Sequence, residues 1–109
     1  MFSPSQVLDS VIDRLRGQDP LGFFEEPVTD LEAPNYSQVI EQPMCFQRMS
    51  EKVRAHEYRT WGAFQKDFEL ICSNAMAYNE KRSKVHKAAL QLHRQGRLDL
   101  EVSKQIANL

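Results

Sequence analysis

Four prolines, Pro20, Pro27, Pro34 and Pro43, punctuate residues 18–43 and constrain this chain more than any other feature. Each removes a backbone donor and turns the residue before it away from helix. A connection of some 25 residues is far longer than loops between helices usually are. It is not a polar linker, because Leu21, Phe23, Phe24, Val28, Leu31, Tyr36, Val39 and Ile40 run through it. A long loop with its own apolar side chains packs onto the domain, and such loops often carry function.

On both sides the pattern is helical. Ser3-Pro4-Ser5-Gln6 combines a cap residue, proline at the first helical position and glutamine at the third. Val7, Leu8, Val11, Ile12 and Leu15 then recur at helical spacing up to Gly17, which is placed to end the helix. The pattern returns with Phe46, Met49 and Val53, and again with Trp61, Phe64, Phe68, Ile71, Cys72, Ala75 and Met76, capped by Thr60. A polar break at Glu80 to Arg82 precedes a further helix from about Ser83 through Val85, Ala88, Ala89 and Leu92, with Gly96 as a point of interruption. Four helices without a convincing strand predict an all-α bundle with a long proline-rich loop after its first helix.

The 109 residues have room for one domain, expected to have a core at about 4–96 and a C-terminal helical extension at 97–109. Net charge is −1, so no overall field draws the chain to nucleic acid or an anionic membrane. Cys45 and Cys72 lie far apart without CxxC spacing, which favours a reducing compartment, the cytosol or nucleus. The apolar runs are too short to span a membrane, and the amphipathic N-terminal segment with Asp9 and Asp13 is unlike a signal peptide.

Three groups of residues then become recognisable: Phe24-Glu25-Glu26-Pro27-Val28, Ala33-Pro34-Asn35-Tyr36 and Ile40-Glu41-Gln42-Pro43-Met44. With Phe64, Asp67-Phe68 and Asn74-Ala75-Met76-Ala77-Tyr78-Asn79 downstream, the chain resembles bromodomains from about Leu8 to Gly96. Gly22-Phe23-Phe24 is similar to members of chromatin-remodelling complexes, and Ala88-Ala89-Leu90 to those of acetyltransferase scaffolds. The resemblance implies a left-handed four-helix bundle that reads acetylated lysine in histone tails or other nuclear proteins, without a cofactor or metal. It also implies a nuclear monomer that is part of a larger protein or complex.

By the same resemblance, Asn79 donates to the acetyl carbonyl and Tyr36 reaches it through a water. Phe24 and Val28 wall the acetyl methyl, Pro27 makes the bend beside it and Val85 guards the rim. Leu31 and Ala33 line the loop side of the channel, and Ala75 its floor. Three positions depart from the family pattern. Gly22-Phe23 replaces the usual Trp-Pro shelf, Cys45 replaces an aspartate cap and predicts a frayed helix start, and Glu80-Lys81-Arg82-Ser83-Lys84 makes the rim basic.

The remaining residues have plainer readings. Taken alone, Asn79 is a residue at a helix end with a C-cap role, and Tyr78 is structural. His86 and His93 are two turns apart and with His56 read as surface residues, so no shared metal site is expected. Cys72 falls in the apolar stripe and reads as buried rather than nucleophilic. Lys81, Arg82, Lys84 and Lys87 form a solvated basic face with a secondary capacity for weak nucleic-acid contact. Neither paired carboxylates, an activated nucleophile nor a phosphate-binding glycine loop is present, so an enzyme is not expected. The competing function is a helical interaction domain that holds unmodified peptide in a surface groove.

Overall fold

The computed structural model describes residues 2–107 and contains five helices: α1 (Pro4–Gly17), α2 (Tyr36–Val39), α3 (Phe46–Arg54), α4 (Trp61–Tyr78) and α5 (Lys84–Ala107). The four longer ones form the bundle, with α1 against α3 and α5, and α4 against α5. The fifth, α2, is a single turn inside the proline-rich loop, which the sequence pattern did not announce. Asn35 introduces it in the left-handed region, φ 63°, a conformation asparagine tolerates better than most residues.

Helix α1 begins as its residues dictate. Gln6 N–H donates to Ser3 Oγ at 3.2 Å and Ser3 N–H donates to Gln6 Oε1 at 2.8 Å, a complete capping box. Its stripe Val7, Leu8, Val11, Ile12 and Leu15 is buried. Facing it are Phe46 and Met49 of α3, Phe64, Phe68 and Cys72 of α4, and Leu92 and Leu100 of α5, all without solvent contact or nearly so. In α4, Thr60 Oγ1 accepts Ala63 N–H at 3.1 Å, as expected of its cap.

Helix α5 runs unbroken through Gly96, contrary to the interruption expected there. A Cβ at Gly96 would fall 2.8 Å from Phe68 Cε1 and 3.0 Å from Leu15 Cδ2, so glycine lets three helices close on one another. The expected extension from residue 97 is therefore the end of the same helix. Leu100, Ser103 and Ala107 are buried, and Arg14 donates to Ser103 Oγ at 2.8 Å. Positions 108 and 109 of that extension lie outside the described residues.

The long loop is fastened at several points. At its start Asp19 accepts the backbone N–H of Phe23 and Phe24, both at 2.9 Å, across a turn that Gly22 makes with φ +70°. Arg16 forks onto Glu25 at 2.7 and 3.0 Å and also reaches Ser50 Oγ at 3.1 Å. At its end Asn74 donates to the Gln42 carbonyl at 2.7 Å. Cys45 makes no side-chain cap, yet the start of α3 is not left open. Phe46 and Gln47 N–H donate to the Phe24 and Glu25 carbonyls, each at 2.9 Å, so loop backbone serves where an aspartate would.

A polar cluster is buried beside the core. Tyr58 Oη and Lys52 Nζ each donate to Asp67 Oδ2 at 2.6 Å, with the Lys52 ammonium 4.9 Å from the Tyr58 ring centroid. Burial, then the Asp67 carboxylate, holds the Tyr58 hydroxyl well above the usual phenol range. This cluster joins the α3–α4 connection to α4.

Candidate functional site: a cavity between the loop and the ends of two helices

The loop wall and the helical wall enclose a cavity of about 200 Å³. Phe23, Phe24, Val28, Ala33, Tyr36 and Met44 come from the loop side; Ile71, Ala75, Tyr78 and Asn79 come from α4 and its end, and Val85 from the first turn of α5. Glu26 and Glu32 complete the loop edge. The enclosure is mostly apolar with few polar groups, the usual composition of a small-ligand site.

Asn79 closes α4. Its backbone N–H and its Nδ2 both donate to the Ala75 carbonyl at 3.0 Å, which turns the side-chain amide at a fixed angle beside the cavity. A carboxamide carries two N–H donors and a carbonyl acceptor, so one donor and the acceptor remain for a ligand. The C-cap reading and the cavity reading of this residue therefore hold together. Its backbone is extended at this point, φ −91° and ψ 143°, which ends the helix and carries the chain across the cavity mouth to Val85.

Tyr36 is the first residue of α2 and only 6% exposed, and its ring meets Tyr78 edge-on at 5.0 Å. Burial pushes its hydroxyl above the ordinary phenol value, with the Cys45 thiol and the Tyr78 hydroxyl adding to the shift, so it stays neutral at physiological pH. Phe24 is buried and packs edge-on against Phe23 at 6.1 Å. Val28 is 39% exposed and Val85 half-buried, both at the rim. Ala33 and Ala75 line the cavity from opposite walls.

Two residues assigned to the site by resemblance stand elsewhere. Leu31 is 95% exposed and does not line the cavity, because Thr29 to Ala33 closes a tight turn that carries it outward. Pro27 lies on the outer side of the loop, where it borders a neighbouring groove with Pro43, Met44 and Arg48. Its influence on the cavity passes through the backbone it bends.

Five wall residues besides Tyr78 lie outside the set that the resemblance implies. Ile71 had a signal, since Ile71, Ala75 and Asn79 fall four residues apart and share a helix face. Phe23 and Met44 sat within stretches already singled out, next to Gly22 and Pro43. Glu26 and Glu32 left no trace in periodicity, for irregular backbone has none. The sequence reads Tyr78 as structural. It does hold the loop, donating to the Pro34 carbonyl at 2.8 Å, but it also lines the cavity.

None of the histidines or cysteines lines this cavity. His93 is not a free surface residue: its ring stacks on Phe68, 6.4 Å between centroids, and its Nε2 lies 2.7 Å from Glu69 Oε2. Burial pushes the Cys72 thiol up to about 12, which keeps it protonated and unreactive at neutral pH. Among the described residues, no three of His, Cys, Asp and Glu converge as a metal site would require. None of the described helices is long and apolar enough to cross a membrane.

The sequence model of the Bromodomain family matches residues 8–91. Bromodomain-containing protein 9 of Danio rerio is 45% identical over 87 residues, covering 80% of this chain and 14% of that protein. Bromodomain-containing protein 7 of Mus musculus is 38% identical over 91 residues, covering 84% of this chain and 14% of that protein. The chain thus spans about a seventh of the length of these curated relatives. Among solved structures, a bromodomain from Leishmania donovani complexed with bromosporine superposes with a TM-score of 0.84 at 32% identity, covering 94% of this chain and 86% of that one. The bromodomain of human BAZ1A gives 0.83 at 25% identity, covering 89% and 91%. The match through the loop and α4, together with a left-handed bundle closed around a cavity at Asn79, makes this chain a member of the bromodomain family, a class of acetyl-lysine reader modules rather than catalytic domains.

Proposed function

We propose that the cavity binds the acetylated side chain of lysine in histone tails or other nuclear proteins, and that the chain serves as the reading module of a longer nuclear protein. The observation that carries this reading is the placement of the Asn79 amide, anchored to the Ala75 carbonyl, at the mouth of an apolar cavity. Acetylation turns an ammonium into a neutral amide. Burying the ammonium unpaired costs far more than burying the amide, so an apolar cavity with one neutral donor discriminates between them.

In this reading the free Nδ2 donor of Asn79 takes the acetyl carbonyl, and the Tyr36 hydroxyl reaches the same oxygen through a water. Phe24, Val28 and Ala75 surround the acetyl methyl. Each buried methylene contributes about 0.8 kcal/mol and a neutral hydrogen bond about 0.5–1.5 kcal/mol net. Such increments give weak binding by one mark, strengthened when the longer protein engages a second site.

The test is a calorimetric titration of acetylated and unmodified histone-tail peptides against the wild type, Asn79→Ala and Asn79→Asp, with circular dichroism to establish folding. Loss of the donor leaves the carbonyl unsatisfied, a cost of about 1–3 kcal/mol or roughly five- to 150-fold in affinity. Equal binding of unmodified peptide, or full binding by both Asn79 variants, would sink the reading and favour a groove for unmodified peptide.

A further inference from the structure

Charge is segregated across the cavity mouth. Residues 18–47 contain six carboxylates and no lysine or arginine, whereas residues 80–87 contain four bases and one acid, Glu80. Of the loop acids, Glu25 is taken by Arg16 and Asp19 by backbone amides. Glu26 and Glu32, by contrast, are exposed, line the cavity edge and form no ion pair among the described residues. On the far side Lys81, Arg82, Lys84 and Lys87 are exposed and likewise form none. They fall between and just beyond Asn79 and Val85, both of which line the cavity.

The basic side is costly to the fold. Lys84 and Lys87 stand in the first turn of α5, where aligned N–H groups already make the end positive and no acid offsets them. Stability alone would favour carboxylates there. The helix end and the lysines add to one positive field beside Asn79 and Val85, on the wall opposite the loop edge that carries Glu26 and Glu32.

We propose that the site selects acetylated peptides of mixed charge, with basic residues on the flank that crosses Glu26 and Glu32 and an anionic residue on the flank that crosses Lys81, Arg82 and Lys84. This rests on the acetyl-lysine reading above. A ligand uniformly basic on both flanks, like many unmodified stretches of histone tail, gains on one side and loses on the other. Exposed pairs are screened within about 8 Å at physiological salt, so each adds only about two- to fivefold in affinity. The preference concerns the neighbours of the acetylated lysine and is read by rim charges, independently of the amide contact at Asn79.

The experiment uses one set of peptides with a central acetyl-lysine, measured by calorimetry at low and high salt. Flanks are neutral, basic on both sides, acidic on both sides, and mixed in each of the two orders, with glutamate and phosphoserine as separate anionic arms. One mixed order is expected to bind several-fold more tightly than the peptide basic on both sides, with the advantage collapsing at high salt. The triple variant K81E/R82E/K84E is expected to reverse the ranking so that the doubly basic peptide binds best, while the neutral peptide binds unchanged. K84E alone is expected to raise the melting temperature while lowering affinity for the anionic flank, which separates recognition from folding.

Equal affinity of mixed and doubly basic peptides at low salt overturns the proposal, as does an unaltered ranking in the triple variant. Duplex DNA binding that is lost in the triple variant, with peptide ranking unchanged, would also overturn it by assigning the basic rim to nucleic acid. Failure of the underlying reading looks different: the neutral peptide would bind without regard to acetylation or to Asn79→Ala.

Discussion

The two walls of the cavity are built on opposite principles. The helical wall, Ile71, Ala75 and Asn79 with Val85, stands on backbone hydrogen bonds internal to α4 and α5 and on the core beneath them. The loop wall, Phe23 to Met44, has almost no regular structure and is held by separate clasps: Asp19 on two amides, Arg16 on Glu25, Asn74 on Gln42 and Tyr78 on Pro34. A regular wall shares its stability with the whole bundle. A clasped wall has local stability, which sets loop opening without deciding whether the chain folds.

The largest effect that separates the two should come from the core under the helical wall. Phe68 is fully buried and touches the Gly96 crossing. Phe68→Ala is expected to cost about 3–5 kcal/mol in chemical denaturation, with acetyl-peptide binding falling only as the folded fraction falls. Gly96→Ala should cost about 1–3 kcal/mol by overpacking the same crossing. If either variant weakened binding at full folding, the two walls would not be separable in this way.

Asn74→Ala removes the tether on the Gln42 carbonyl and should lower the free energy of local loop opening by about 1–2 kcal/mol. Its signature is local: amide exchange should accelerate across residues 36–45, with peptide affinity reduced, while protection in α1 and α5 holds. Uniform loss of protection would place Asn74 in the global cooperative unit instead. Tyr78→Phe removes the bond to the Pro34 carbonyl at a partly exposed position, and below about 1 kcal/mol is expected, again with faster exchange confined to the loop.

The smallest expected effect is a pH dependence at Asp19. Burial raises its pKa above 3.8, outweighing the Phe24 and Phe23 amides that lower it. The folded state then holds its proton more tightly than the unfolded state, so Asp19's contribution to stability is greatest below 3.8 and declines as pH rises towards the raised native value. Asp19→Asn carries no such proton. The stability difference between wild type and variant should therefore move in the variant's favour across that window; a difference independent of pH would show that the amides offset burial, and one of opposite sign that they dominate.

Much of the helical wall was legible in residue order. The stripe through Phe64, Phe68, Ile71, Cys72 and Ala75 has one period, and its end at Asn79 follows from the polar break after it. Bromodomain-like motifs in the loop gave the candidate partners of Asn79, and Tyr36, Phe24, Val28 and Ala33 do line the cavity. The same motifs misplaced Leu31, because the direction of a side chain in a tight turn depends on dihedral angles that no spacing rule encodes. They also missed the way α3 starts: the carbonyls of Phe24 and Glu25, some twenty residues earlier, do the work expected of a capping side chain at Cys45.

The sequence by itself determined the four longer helices, their apolar faces, the caps at Ser3 and Thr60 and the existence of an apolar loop that had to fold back, since periodicity and turn chemistry are local properties. Only the tertiary structure decided which loop residues face the cavity, that α5 continues through Gly96, that Tyr78 serves both the loop and the site, and that Glu26 and Glu32 edge the wall opposite Asn79 and Val85. Those outcomes depend on contacts between residues far apart in the chain, where packing and the accounting of backbone hydrogen bonds select one arrangement among several that local rules permit.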